Sequence, residues 1–168
     1  GGLEREGVEV WVRPGAGLLA KEGEMLTWSP FQEGMDLGVW HKESTKVGLV
    51  LTSLREKGYD VVETYFGMRI SNRNGWVDDR FLGSVPFIDI LYFSEITARW
   101  GGVLVVNYCC DCAGVVISSC SKKTCGCLIC ASDREDIFPL RRMRVGDMEL
   151  PLPSNISSVI VPDQFYHT

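Results

Sequence analysis

The sequence predicts an all-β fold, either a β-barrel or a β-sandwich. Short runs of β-branched and aromatic residues recur along the chain, the clearest being 8–12, 59–66, 85–93 and 102–108. Glycines separate these runs, as turn residues separate short strands in barrels and sandwiches. The hydrophobic fraction of 45% and the charged fraction of 23% are those of a folded chain.

The individual strands differ in how clearly the sequence marks them. The first run alternates and ends at a turn signal, Arg13-Pro14-Gly15, and the longest run, 85–93, carries a single charge, Asp89. The apolar run 47–51 adds a further strand. A short helix over 49–57 is the competing interpretation, but Gly48 and Gly58 bracket it closely, so the sequence predicts little helix.

Length and charge exclude several classes of protein. The 168 residues are enough for one domain with its own core, and the net charge of −5 disfavours a protein that binds nucleic acid through overall charge. No apolar run approaches the roughly 18 residues of a membrane span, so no membrane association is expected. The first residues, Gly1-Gly2-Leu3-Glu4-Arg5, include charges and lack the apolar stretch of a signal peptide, which favours an intracellular location. We expect the five tryptophans to lie in the core: Trp11, Trp28, Trp40, Trp76 and Trp100.

All seven cysteines lie between residues 109 and 130. A disulfide framework would spread along the fold that it stabilises, and an odd count leaves one thiol unpaired. In a reducing compartment such a cluster indicates metal binding. Disulfides and incidental buried thiols remain the alternatives.

Four of the cysteines have the spacing of a zinc site. Cys109-x-x-Cys112 and Cys127-x-x-Cys130 form two pairs separated by 14 residues. Four thiolates satisfy the tetrahedral preference of structural Zn²⁺, and Cys110, Cys120 and Cys125 are alternate ligands. The two histidines, His41 and His167, are expected at the surface rather than in this site.

Residues 75–85 carry the most specific motif, Gly-Trp-Val-Asp-Asp-Arg-Phe-Leu-Gly-Ser-Val. This segment resembles the third motif of the trimeric dUTPase family, and its spacing matches across the motif. Gly75, Asp78, Gly83 and Val85 fit as they stand, and Phe81 occupies the position of the family's tyrosine. Leu82 replaces its basic residue.

Other landmarks follow in the order of that family. Gly34-Met35-Asp36-Leu37 resembles the first motif, 56–59 resembles the corner before a central strand, and 93–106 resembles the strands after the third motif. The resemblance covers about residues 8–108 and implies a dUTPase-like β-barrel of jelly-roll type, with trimerisation as the family's usual state. An unrelated sandwich or barrel remains the alternative.

The resemblance also implies what the site residues would do. Asp78 would order the attacking water, Phe81 would stack beneath the sugar, and Mg²⁺ would bridge the triphosphate. The phosphate-binding elements depart from the family. The nearest match to the second motif, Met68-Arg69-Ile70-Ser71, lacks its proline and glycine, and the glycine-rich fifth motif has no counterpart. We therefore expect a vestigial site, because each lost donor costs about 10²–10³ in rate.

A second resemblance concerns the segment around the first cysteines. Gly83-Ser84-Val85, followed by an apolar strand that runs into Cys109-Cys110-Asp111-Cys112-Ala113, looks like the C-terminal half of the large early-region-four protein of adenoviruses. This likeness and the degenerate dUTPase motifs both favour a viral protein.

The sequence thus predicts three parts: a dUTPase-like β-domain over 1–108, a zinc module over 109–131 and a C-terminal arm over 132–168. The predicted function is a non-enzymatic viral adaptor that binds host proteins in the nucleus or cytoplasm, with a homo-oligomer as a possible state. The alternatives are an active hydrolase of dUTP that requires Mg²⁺ and a zinc-ribbon protein that binds nucleic acid.

Overall fold

Four of the described strands form at the β-branched and aromatic runs that the sequence marks, and the other strands form outside those runs. The computed structural model of the protein describes residues 2–13, 18–19, 27–28, 34–64, 67–77, 84–98, 100–107, 131–145 and 148–156. The strands are β1 (Val10–Arg13), β2 (Leu18–Leu19), β3 (Thr27–Trp28), β4 (Gly34–Trp40), β5 (Tyr59–Thr64), β6 (Gly67–Val77), β7 (Ser84–Thr97), β8 (Val103–Asn107), β9 (Ala131–Asp133), β10 (Arg141–Val145) and β11 (Met148–Leu152).

Seven of these strands form one sheet that curls into a half-barrel. Its main order is β1-β4-β7-β6-β5, with β8 on β7 and β9 on β8. Among the described strand pairs only β4 and β7 run parallel. The structure is mostly β-sheet, which confirms the predicted all-β class in that coarse form.

The expectation of little helix is wrong at one place. The helices are α1 (Gly2–Arg5), α2 (Ser44–Glu56) and α3 (Arg134–Ile137), and a 3-10 turn (His41–Glu43) precedes α2. The apolar run 47–51, predicted as a strand, lies inside α2, which continues through Gly48. None of the described helices combines the length and the apolar character needed to cross a membrane.

Packing explains why α2 forms despite its glycine. A glycine inside a helix costs about 1 kcal/mol relative to alanine. Val47 and Leu51 are almost fully buried against the sheet, and each such burial stabilises by about 1.5–3 kcal/mol. The gain from packing therefore exceeds the local cost. Gly58, with a φ of +90°, then turns the chain into β5.

The sheet buries apolar side chains on both faces. On the helix face, Val39, Ile70 and Ile90 pack against Val47 and Leu51 of α2. On the other face, which we call the tryptophan face, a second cluster contains Trp11, Trp40, Leu91, Phe93, Val105 and Ile137. The ring centroids of Trp11 and Trp40 lie 5.1 Å apart, so the expectation that these two are core residues is confirmed.

Residues 131–145 and 148–156 pack on the same sheet. Strand β9 extends it by pairing with β8, and Ile137 enters the cluster on the tryptophan face. The β10–β11 ribbon contributes Leu152, which is fully buried against Val12. The predicted boundaries at 108 and 131 stay a prediction, because 109–130 lies outside the described residues.

Candidate functional site: a row of charges across the sheet

Four charged side chains lie in one row across four neighbouring strands. The strand register pairs Arg13 of β1 with Asp36 of β4, Asp36 with Asp89 of β7, and Asp89 with Arg69 of β6. Because register partners on neighbouring strands project to the same face, the charges follow the order plus, minus, minus, plus. We call this set the charge row. It lies on the tryptophan face, since Trp11 is two residues from Arg13.

One end of the row is a bidentate ion pair between Arg69 and Asp89. The Arg69 Nε donates to Asp89 Oδ1 and its Nη2 donates to Oδ2, each over 2.7 Å. Both side chains are about nine-tenths buried, with 10% and 8% exposed. Parallel bonds of this kind are the strongest form of the arginine–carboxylate interaction. The two charges therefore neutralise each other inside the fold.

An aromatic ring completes the environment of Arg69. The guanidinium carbon lies 3.8 Å from the ring centroid of Phe87, which is stacking distance for a cation over a π face. Phe87 in turn faces Gly34 across the β4–β7 pair. A Cβ added to Gly34 would stand 2.2 Å from a carbon of that ring, so only glycine lets the ring occupy this place.

The second glycine of β4 has the same role for a different ring. Gly38 faces Trp11, and a Cβ at Gly38 would stand 2.2 Å from the indole. In the segment Gly34-Met35-Asp36-Leu37-Gly38, the two glycines thus leave room for an aromatic ring to pack directly on the backbone. Asp36 lies between them on the same face of the sheet. The local requirement for glycine in this motif is accordingly one of packing.

Burial dominates the electrostatics of both carboxylates. It raises the pKa of Asp36, which the charge of Arg13 lowers again in part and that of Asp89 raises further. Burial also raises the pKa of Asp89, and the bonds from Arg69 oppose that rise. The two carboxylates are therefore neighbours of unequal environment: Asp36 is partly buried, whereas Asp89 is buried and accepts the two bonds of Arg69.

The structure brings together two residues that the sequence assigned to separate motifs. Asp36 belongs to the segment that resembles the first dUTPase motif, and Arg69 belongs to the nearest match to the second. Asp89 lies between them and bonds one of them directly. Sequence reasoning did not single out Asp89 as a site residue, although its position as the one charge in the run 85–93 was the available signal.

The predicted site residues themselves lie elsewhere in the chain. Asp78, Phe81 and all seven cysteines are outside the described residues. Within the described ranges, no group of three or more His, Cys, Asp or Glu side chains is arranged to hold a metal ion. The zinc ligands Cys109, Cys112, Cys127 and Cys130 therefore stay a prediction.

Strands β6 and β7 continue beyond β5 as a two-stranded arm. Their register shifts between Ser71 and Trp76, and β5 ends its pairing with β6 at Asn72. At the far end Trp76 and Val77 are 68% and 66% exposed. Trp100 in the β7–β8 turn is 64% exposed as well. The expectation of a core position is thus wrong for Trp76 and Trp100, and the side chain of Trp28 lies outside the described residues.

No protein-family model matches the sequence, and no curated protein matches it.

Proposed function

We propose that this chain is a non-enzymatic viral adaptor that binds host proteins. It would be built on a degenerate dUTPase-like fold and stabilised by a structural zinc ion on Cys109, Cys112, Cys127 and Cys130. Its location would be the host nucleus or cytoplasm, where a reducing environment keeps these thiols available to metal. Two observations on the described residues support the proposal, one against hydrolysis and one in favour of partner binding.

The main support for the proposal is that the Arg69 side chain is buried and already bonded. A nucleotide hydrolase needs an arginine that is available to the phosphates, and Arg69 is the arginine of the segment that most resembles the second motif. Its guanidinium is buried, bonded at two nitrogens to Asp89 and stacked on Phe87. Withdrawing it would leave Asp89 buried without its partner, which costs on the order of 3–5 kcal/mol. Arg69 therefore fits a structural role better than a phosphate clamp.

The exposed end of the β6–β7 arm supports partner binding. Trp76 and Val77 are neighbours in sequence and point to opposite faces of β6, yet both are about two-thirds exposed. Tryptophan is strongly enriched among residues that dominate binding energy at protein interfaces. A solvent-exposed tryptophan beside an exposed valine has no packing role in the described part of the chain, and an interface would give it one.

One assay tests the absence of catalysis. The purified chain is incubated with dUTP and Mg²⁺, and release of pyrophosphate is measured beside the matched variant Asp78→Asn. We expect both proteins to give the same background. Clear turnover by the wild-type chain that the Asp78→Asn variant abolishes would overturn the proposal and favour the hydrolase.

A further inference from the structure

Two aspartates face each other across the parallel pair of strands. Asp36 of β4 and Asp89 of β7 are register partners, and neighbouring strands lie about 4.8 Å apart. Two neighbouring carboxylates, one buried and one partly buried, do not both ionise without a cost in free energy. The charge row supplies two cations, but they stand on its outer sides, with Arg13 on β1 and Arg69 on β6.

The two aspartates do not share these cations equally. Asp89 accepts both bonds of the Arg69 fork at 2.7 Å, whereas Arg13 acts on Asp36 through its charge. The Arg13 guanidinium carbon lies 5.7 Å from the ring centroid of Phe93, farther along the same face. A proton taken up by this pair would therefore reside on Asp36, because Asp89 would have to give up a bidentate bond to accept it.

The other acidic side chains on this face of the described sheet form ion pairs with arginines outside the charge row. Asp60 of β5 pairs with Arg73 over 3.0 Å, and Glu95 of β7 pairs with Arg134 over 2.6 Å. The β5 residue opposite Arg69 is Val62, which carries no charge. The groups that act on Asp36 from the neighbouring strands are thus Arg13, Asp89 and Arg69.

We propose that Asp36 and Asp89 form a proton-sensitive joint between β4 and β7, in which proton uptake by Asp36 removes the repulsion and tightens the sheet. The sign follows from burial, which raises the folded-state pKa of Asp36 above its ordinary value of 3.8. A raised pKa means that the contribution of this group to stability is full below the unfolded-state pKa. It is lost as the pH rises through the folded-state value.

The test is denaturant unfolding of the full chain across pH 4 to 7.5 in reducing buffer, comparing wild type with Asp36→Asn. Asparagine imitates the protonated form, so we expect the variant's midpoint to exceed that of the wild type at pH 7. The two midpoints should converge towards pH 4. The matched control is Glu56→Gln, an exposed carboxylate at the end of α2, whose midpoint difference should not vary with pH in this way.

Two results would overturn the proposal: a midpoint difference for Asp36→Asn that is the same at every pH, or a variant less stable than wild type at pH 7. If the variant fails to fold, the titration of the Asp36 side-chain carbon in the wild-type chain by NMR decides. An Asp36 pKa above the ordinary aspartate value in this titration supports the joint, and a pKa at or below that value rejects it.

Discussion

The carboxylate of Asp89 accepts two hydrogen bonds of 2.7 Å from the guanidinium of Arg69, one to each oxygen. This relationship joins the two longest strands of the sheet, β6 and β7, at a point where both side chains are buried. It also gives Arg69 a structural role, and it therefore underlies both the proposed loss of catalysis and the first prediction.

Asp89→Asn should destabilise the protein by about 3–5 kcal/mol, because it leaves the buried Arg69 guanidinium without its counter-charge. Chemical denaturation monitored by tryptophan fluorescence measures the change. The matched control is Asp60→Asn, which breaks an ion pair with Arg73 whose side chains are 44% and 62% exposed. That pair should be worth less than about 1 kcal/mol. Equal effects at the two sites would contradict the interpretation of Asp89.

Gly34→Ala should destabilise the protein by about 1–3 kcal/mol, since its Cβ would stand 2.2 Å from the Phe87 ring and overpack that contact. Combining it with Phe87→Leu should recover part of the loss, because the smaller side chain makes room. Thermal unfolding of the two single variants and the double variant tests this coupling. Strictly additive effects would mean that Gly34 is not required by the ring.

Gly48→Ala, in contrast to Gly34→Ala, should stabilise the protein. Gly48 lies inside α2, and a Cβ at this position would meet no atom within 4 Å. Alanine reduces the conformational entropy lost on folding, so we expect a stabilisation of about 0.5–1 kcal/mol. The measurement is the midpoint of thermal or denaturant unfolding. A destabilised variant would show that this turn of the helix is not formed in solution.

Zinc should be present in protein purified under reducing conditions without chelator, at about one ion per chain, as four thiolates bind one tetrahedral ion. Elemental analysis provides the measurement. Cys109→Ser and Cys127→Ser should lose the metal, whereas Cys110→Ser, its matched control, should retain it. Protein without zinc and with oxidised cysteines would contradict both the proposed site and the proposed compartment.

Trp76→Ala should change stability by less than about 0.5 kcal/mol, because the indole is 68% exposed. Trp11→Ala, the buried counterpart at 1% exposure, should cost about 3–5 kcal/mol. Denaturant unfolding of both variants makes the comparison. A large loss for Trp76→Ala would place this side chain in a packing role and remove the support that it gives to partner binding.

The sequence by itself predicted the mostly-β character of the fold and four of its described strands. Period-two alternation and β-branched residues are local properties, so β1, β5, β7 and β8 all fall on runs that the sequence marks. The same local reasoning failed at α2, where two glycines indicated a break. Burial of Val47 and Leu51 against Ile70 and Ile90 outweighs that local cost, and these partners come from distant parts of the chain.

Only the tertiary structure decided the charge row and the exposure of the tryptophans. Asp36, Arg69 and Asp89 lie far apart in sequence, and the strand register, which depends on long-range pairing, brings them into one line. Because all five tryptophans are hydrophobic, the sequence predicted a buried position for each of them. Trp11 is part of the buried cluster on the tryptophan face, whereas Trp76 lies exposed on the two-stranded arm that extends past β5. The sequence specifies the chemistry of each side chain. Which strands become neighbours then decides whether that side chain contacts a partner or the solvent.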